Sequence, residues 1–536
     1  MVTAGEVTAR SNLLGGAAER RLHAFPAGVE GAGGQELPPG VREPARLEIG
    51  QPEAVADDER PRFLLRGALE RRDSVPRQGD EPRFREELID ELVFEAVFNL
   101  DADLRDAVRW VIWSASQALG CGSASIHELY RARGRGEIDP SAFTVPAINV
   151  RALTYLTARQ AFGAALERDA ATVIFEIAKS EMAYTEQRPA EYAAVVLGAA
   201  IREGWRTPVF LQGDHFQFNA TKWASSPGPE LEGIKDLTRE AIAAGFLNID
   251  IDSSTLVDLS LPTAVEQQRE NAENSAELTR LIRELEPEGV TISIGGEIGE
   301  VGKTNSTEEE LRAYLDGYAA ALGDSLEPIS KVSIQTGTSH GGVPMADGTV
   351  AAVSIDFDTL RRLSAVARDE YAMAGCVQHG ASTLPDDAFH HFPTNGTAEI
   401  HLATGFQNIL YDGGGLPDAL RAEMMDWCFT NCADERKHGE TDEQFLYKTR
   451  KKAIGPFKRQ LWTLPPDAAD AIAANLRAKF SLLFDELKIA GTREHVERFI
   501  TQVALPRPLP SALGGATAGA AVRAGAGVFE DDGSGE

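Results

Sequence analysis

The sequence is poor in cysteine, histidine and basic residues, and these shortages exclude several classes of protein. Its 536 residues include 4 cysteines, which are too few for the disulfide framework of a small secreted scaffold. Lys and Arg number 53 against 82 Asp and Glu, so the net charge is −29. This balance argues against binding to nucleic acid or to an anionic membrane, because both require a basic footprint.

Long apolar runs are also missing. No stretch of about 18 apolar residues is present, so the sequence predicts no membrane-spanning helix. The first residues, MVTAGEVTARSNLLGGAAERR, lack the continuous apolar segment of a signal peptide, and we therefore expect a cytoplasmic protein. No GxGxxG fingerprint follows the first predicted strand and no Walker loop occurs, which argues against a dinucleotide or P-loop nucleotide site.

Composition and periodicity divide the chain into five parts. Residues 1–80 are rich in Gly, Pro, Ala, Glu and Arg without apolar periodicity and are predicted to be disordered. Apolar residues at three- and four-residue spacing predict a helical module over 81–140. A catalytic domain is expected over 141–465, extra C-terminal helices over 466–504, and a disordered tail over 505–536.

The catalytic domain alternates short β-branched runs with amphipathic helical patterns. The predicted strands are FTVPAIN (143–149), ATVIFEI (171–177), TPVFLQG (207–213), FLNIDID (246–252), GVTISIG (289–295), KVSIQTG (331–337), YAMAGCVQ (371–378) and AEIHLAT (398–404). Such strand–helix units predict an α/β protein, a (β/α)8 TIM barrel, with an N-terminal helical module and extra C-terminal helices. A doubly wound open sheet is the alternative, but eight units favour closure.

Residues capable of binding metal or transferring protons lie at or just past the ends of five consecutive predicted strands. In chain order they are Asp214, His215, Asp252, Glu297, His340 and His379. Active sites of such barrels form at the carboxyl ends of the strands. Three converging imidazoles suit a catalytic zinc, which keeps a fourth position open for substrate.

Each of these residues also has an ordinary interpretation. A histidine after a strand is more often a loop residue than a ligand, Asp252 could cap the next helix, and Glu297 could be a solvated loop acid. Lys179 and the basic run 448–459 are typical of solvated faces, although in so acidic a chain they are candidate phosphate partners. Their shared position at one barrel mouth favours the metal site.

Six segments resemble, in order, the motifs of the class II, zinc-dependent fructose-bisphosphate and ketose-bisphosphate aldolases. They are VPAINV (145–150), GDH (213–215), GFLNIDID (245–252), GGEIG (295–299), GTSHGG (337–342) and QHGAS (378–382). The resemblance covers roughly residues 125–465. It implies a metal-dependent lyase of carbohydrate metabolism or glycolysis that cleaves or forms a ketose phosphate such as fructose 1,6-bisphosphate through a metal-stabilised enediolate. A homo-oligomer is the family's habit.

By position, the resemblance implies that His215, His340 and His379 bind Zn²⁺ and that Asp214 is the catalytic acid and base. Asp252 and Glu297 would orient these ligands or hold a second cation. The implied substrate-binding residues are Asn149, Gly341, Gly380, Ser382, His401, Thr404 and Lys179. A Schiff-base route is less favoured, because the lysine of the sixth strand, Lys331, lies at the wrong end of its strand.

The sequence departs from the family pattern around the substrate. Where the last strand usually reads K-I-N-x-x-T-D, this chain has Glu399 and His401, and Glu176 with Ala178 replaces a Gln-x-Ser pattern on the second strand. The loop after Glu297 is shortened. These changes leave open a metal-dependent lyase acting on a different ketose, or a catalytically weak binding or scaffold homologue.

Overall fold

The computed structural model describes residues 81–299, 304–337 and 355–515. The predicted zinc ligand His340 and the predicted substrate residue Gly341 lie outside the described residues. The same is true of the predicted N-terminal segment 1–80 and of the tail from residue 516.

The core of the molecule is a parallel β-sheet. Its strands are β1 (Ser123–Ala124), β2 (Val145–Asn149), β3 (Ile174–Ala178), β4 (Val209–Gln217), β5 (Asn248–Asp252), β6 (Ser293–Glu297), β7 (Lys331–Ile334), β8 (Cys376–Gln378) and β9 (Glu399–Leu402). Strands β2 to β9 pair in chain order, and β9 also pairs with β2. The sheet therefore closes, which confirms the predicted (β/α)8 barrel and excludes the open sheet. Strand β1 is an addition that pairs with β4.

Most of the barrel strands begin later than the sequence predicts. Phe143 and Val173 were assigned to strands, but each precedes the first paired residue of β2 or β3 and is buried all the same. An approach segment that enters the core has the same apolar composition as a buried strand, so composition alone does not separate the two.

Helices follow the strands and surround the barrel. They are His127–Gly134, Thr154–Leu166, Lys179–Tyr184, Pro189–Glu203, Ala220–Ser225, Pro227–Ala244, Ala264–Gln267, Arg269–Leu285, Glu308–Leu322, Phe357–Tyr371, His391–Thr394 and Thr404–Asp412. Later helices are Asp418–Asn431, Asp442–Thr449, Lys458–Trp462, Pro466–Glu486 and Arg493–Phe499. Within the described residues, no helix has both the length and the apolar character that crossing a bilayer requires.

The N-terminal helices pack on the barrel's own helices. They comprise Glu81–Arg83, a π-helical turn at Phe84–Leu88, Ile89–Phe98 and Ala102–Ala118. A methyl group on Gly198 would collide with Val93, so a glycine allows this close approach between helices. The Trp113 indole donates a 2.8 Å hydrogen bond to the carbonyl of Leu505, which ties the N-terminal helices to the C-terminal segment.

The helix Ala102–Ala118 begins at a side-chain cap. Asp101 Oδ1 accepts hydrogen bonds from the backbone N–H groups of Asp103 (3.0 Å) and Leu104 (3.3 Å). Asp101→Ala should therefore lower the free energy of unfolding by about 1 kcal/mol, measured by urea denaturation. Asp101→Asn is the matched control, because an asparagine oxygen can accept the same bonds. Equal destabilisation by both variants would contradict the capping role.

Candidate active site at the carboxyl ends of the strands

The site centres on an irregularity in β4. Asp214 and His215 lie inside this strand, where the pairing with β5 shifts register between Gly213 and Phe216. His215 has a φ of 41°, a left-handed conformation that is uncommon for a residue with a side chain and costs about 1 kcal/mol or more. Bulges of this kind redirect side chains beside active sites. Here the His215 Nε2 atom comes within 3.7 Å of Asp214 Oδ1.

The register shift between β4 and β5 also requires a residue without a side chain at position 213, which is Gly213. A Cβ at this position would lie 2.4 Å from the Phe216 ring, which folds back against the strand. The glycine thus permits the register shift that precedes the candidate catalytic residues.

Two of the three predicted zinc ligands lie side by side. The ring centroids of His215 and His379 are 4.3 Å apart, and one ligand atom each from Asp214, His215 and His379 fall within 4.8 Å of one another. All three side chains are buried. A mixed set of imidazole nitrogens and a carboxylate oxygen is a donor set that zinc accepts, so the described part of the site fits the metal that the sequence predicts.

Both members of the predicted acidic pair lie beside the Nδ1 atom of His215. His215 Nδ1 is 3.3 Å from Asp252 Oδ2 and 3.4 Å from Glu297 Oε2. Asp252 Oδ1 also accepts hydrogen bonds from the N–H (3.1 Å) and hydroxyl (2.6 Å) of Ser254. Asp252 therefore both caps the following turn and holds the His215 ring. Carboxylates placed in this way orient a ligand histidine and fix which nitrogen carries its proton.

Asp214 is held by hydrogen bonds to both of its oxygens. The Asn149 amide donates to Oδ2 at 3.3 Å, and His401 Nδ1 lies 3.1 Å from Oδ1. Burial alone would raise the pKa of this carboxyl. The positive charges of His215 and His401 outweigh burial and hold the pKa below its ordinary value. An ionised carboxylate is the form that accepts a proton.

His401 is fully buried among acidic groups, although the sequence analysis assigned it to substrate binding. Its Nε2 atom lies 2.7 Å from Glu399 Oε1. Its Nδ1 atom faces both Asp214 and Glu176 Oε1, the latter at 3.3 Å. The ring centroid is 4.1 Å from that of His379, so His401 belongs to the same cluster from a deeper position.

Lys331 completes a charged layer below these histidines. Its ammonium group lies 2.9 Å from Asp250 Oδ1 and 2.5 Å from Glu399 Oε1, and it donates a 2.8 Å hydrogen bond to the Gln212 amide oxygen. The helix residue Tyr130 donates its hydroxyl hydrogen to Glu399. All these side chains are buried.

Glu176 and Asp250 are two members of this cluster that no sequence motif marked as site residues. The signal that could have found Asp250 is the two-residue periodicity of inward-facing positions in a barrel strand. Asp250 and Asp252 share one face of β5, as Glu399 and His401 share one face of β9.

Two of the predicted phosphate-facing residues, Ser382 and Thr404, lie on segments that pack against each other. A Cβ on Gly405 would lie 2.5 Å from the carbonyl oxygen of Ser382, so the loop after β8 rests on the start of the Thr404–Asp412 helix. Gly380 has a φ of 67°, which its lack of a side chain permits. Lys179 Nζ donates a 2.7 Å hydrogen bond to the carbonyl of Gln217.

Arg151 is a basic residue of this region that sequence reasoning missed. Its guanidinium is buried, lies 3.3 Å from the Thr404 hydroxyl and donates a 2.6 Å bond to Glu181. Within the 448–459 run, Arg450 pairs with Asp412 and Lys458 with Glu191. The position of Arg151, two residues beyond β2, was the available signal.

Comparison with known proteins assigns a family to this barrel. Residues 138–460 match the family model described as fructose-bisphosphate aldolase class-II. No curated protein matches the chain.

Solved structures that match part of the chain include three bacterial proteins. One is a probable tagatose 6 phosphate kinase from Sinorhizobium meliloti 1021, with 20% identity over 69% of this chain and 96% of that chain, and a TM-score of 0.43. The YdjI aldolase from Escherichia coli K12 has 13% identity, 64% and 98% coverage, and a TM-score of 0.33. A fructose-bisphosphate aldolase from Campylobacter jejuni has 17% identity, 67% and 92% coverage, and a TM-score of 0.38.

Proposed function

This chain belongs to the class II fructose-bisphosphate aldolase family, and from that premise we propose that it is a zinc-dependent aldolase that cleaves or forms a ketose phosphate. The observation that carries the proposal is the convergence of His215 and His379 beside the buried carboxylate of Asp214. We place the enzyme in the cytoplasm, where its four cysteines, all buried free thiols, would stay reduced.

His215, His379 and His340 are the proposed zinc ligands. Zinc bound there would supply a Lewis acid that polarises the substrate carbonyl and offsets the negative charge developing as the carbon–carbon bond breaks. Asp252 and Glu297 hold His215 through its Nδ1 atom, which would leave its Nε2 atom to bind the metal.

Asp214 is the proposed acid and base. Its carboxylate takes the proton of the substrate hydroxyl during cleavage and returns it during condensation. The Asn149 amide fixes one carboxylate oxygen and the His401 ring the other, so the group reaches the reacting hydroxyl in a defined orientation. Burial of Asp214 excludes bulk water from this transfer.

The proposed substrate is fructose 1,6-bisphosphate or a related ketose phosphate. Gly380, Ser382 and Thr404 would bind the phosphate, with Arg151 and Lys179 supplying positive charge nearby. A different ketose is the second candidate. It is favoured by Glu399 and His401, whose polar atoms are committed to buried contacts in the barrel interior.

The test is a cleavage assay over a panel of ketose phosphates and non-phosphorylated ketoses, with and without a chelator. We expect turnover of at least one ketose phosphate, loss of activity in the chelated protein, and recovery when Zn²⁺ is added back. Full activity of the metal-free protein would refute zinc dependence. Turnover confined to non-phosphorylated ketoses would favour the second candidate. A zinc-loaded protein that turns over no ketose would instead favour a binding or scaffold role.

A further inference from the structure

We propose that the barrel interior contains a second divalent-cation site, formed by Glu176, Asp214 and His401. One ligand atom from each residue falls within 4.8 Å of the others. His401 Nδ1 is 3.1 Å from Asp214 Oδ1 and 3.3 Å from Glu176 Oε1. The site goes beyond the proposed reaction, in which neither Glu176 nor the metal-binding capacity of His401 has a part.

The orientation of the His401 ring supports a cation at this point. Its Nε2 atom is 2.7 Å from Glu399 Oε1, and a histidine that ligates a metal usually donates its other ring N–H to a carboxylate in this way. With the proton on Nε2, the Nδ1 lone pair faces the oxygens of Asp214 and Glu176. Without a metal, the positive charge at this point is the proton on His401 Nδ1; a divalent cation would replace that proton and be bound by all three atoms.

A single proton on Nδ1 does not satisfy this cluster. It can form one good hydrogen bond, and in the structure Asp214 is the partner. Glu176 Oε1 is buried without any hydrogen-bond partner, although buried polar atoms are nearly always paired. A cation, by contrast, would bind Nδ1 and both carboxylate oxygens at once.

Asn149 offers a further oxygen next to the cluster. It pairs in register with Glu176 across β2 and β3, and its Nδ2 atom donates to Asp214 at 3.3 Å. Its Oδ1 atom is buried and has no hydrogen-bond partner. Two unsatisfied buried oxygens, one on Glu176 and one on Asn149, therefore belong to residues that touch or flank Asp214.

The charges of the barrel interior also support a cation at this site. Asp250 and Glu399 are compensated by Lys331. Across the described residues, the basic groups within ion-pair distance of Glu176 and Asp214 are the imidazoles of His215 and His401, and buried carboxylates that lack a full set of partners are costly. One imidazole and two or three oxygens form a mixed donor set that suits a first-row divalent cation such as Zn²⁺ or Mn²⁺.

The experiment counts metal ions bound to the full-length protein. After equilibration with Zn²⁺ or with Mn²⁺ and removal of free ion, elemental analysis should find two ions per chain in the wild type. Glu176→Gln and His401→Asn should each bind one fewer, and so should His379→Asn, which alters the other site. Glu191→Gln is the control, because it changes a buried glutamate whose partner is Lys458, outside the cluster. Thermal melting verifies that each counted variant is folded.

The outcomes separate this proposal from the proposed function. One ion in the wild type that His379→Asn loses, while Glu176→Gln and His401→Asn retain it, would overturn the second site and leave the proposed zinc site standing. One ion lost in Glu176→Gln and His401→Asn but retained in His379→Asn would support the second site and overturn the proposed zinc site. An ion count of zero in the folded wild type would overturn the second site too.

Discussion

Asp214→Asn is expected to lower kcat for carbon–carbon bond cleavage by about a hundredfold to ten-thousandfold. The asparagine keeps the shape of the side chain but has no basic oxygen to take the substrate's hydroxyl proton. The proposed zinc ligands His215 and His379 are unchanged, and Asp252 and Glu297 still hold His215. Steady-state kinetics at saturating ketose phosphate, together with the zinc content of the protein, measure the effect.

Asp250→Asn is the matched control for this prediction. The same chemical change is then made to another buried carboxylate of the barrel interior, whose principal partner is Lys331. Since Asp250 has no proposed contact with substrate, kcat should fall by less than about tenfold. Unchanged kcat in Asp214→Asn would remove Asp214 from the mechanism. Loss of more than one bound ion would attribute the defect to the proposed zinc centre instead, because Asp214 also belongs to the proposed second site.

The fold was predictable because its signals are local. Each barrel strand is a short β-branched run, and the helical patterns between the runs require parallel pairing. The helix at Ala102–Ala118 and its cap at Asp101 follow from the same kind of local pattern. What the sequence could not predict were most of the strand starts, because residues such as Phe143 are buried both inside and outside a strand.

The site was predictable only in part, since its deeper layer depends on closure of the barrel. Lys331 and Glu399 are separated by 68 positions and meet at 2.5 Å across the interior. No sequence motif predicts a contact between residues that are so far apart in the chain. The family resemblance implies a substrate contact for His401, which stays a prediction; no motif indicates that Glu399, two residues earlier on the same face of β9, contacts its Nε2 atom. The conformation of His215 likewise depends on the register shift against β5.

Lys331→Met is expected to lower the free energy of unfolding by about 3–5 kcal/mol. The change removes the only lysine or arginine found in the described residues within ion-pair distance of Asp250 and Glu399, and leaves these two buried carboxylates with the His401 imidazole as their remaining basic partner. Urea denaturation at neutral pH measures the loss. The control is Lys235→Met, on an outer helix, where the pair with the partly exposed Glu277 should contribute less than about 1 kcal/mol.

The double variant Lys331→Met/Glu399→Gln tests whether the loss is electrostatic. Removing the charge of Glu399 together with that of Lys331 leaves one buried carboxylate beside His401 instead of two. The double variant should therefore be more stable than the sum of the single effects, with a coupling of about 1–3 kcal/mol. Additive effects would mean that packing, not charge, accounts for the loss. The same proteins also test the Schiff-base route. Cleavage by folded Lys331→Met would make this lysine a structural counter-charge, whereas complete loss of turnover at normal stability would make it catalytic.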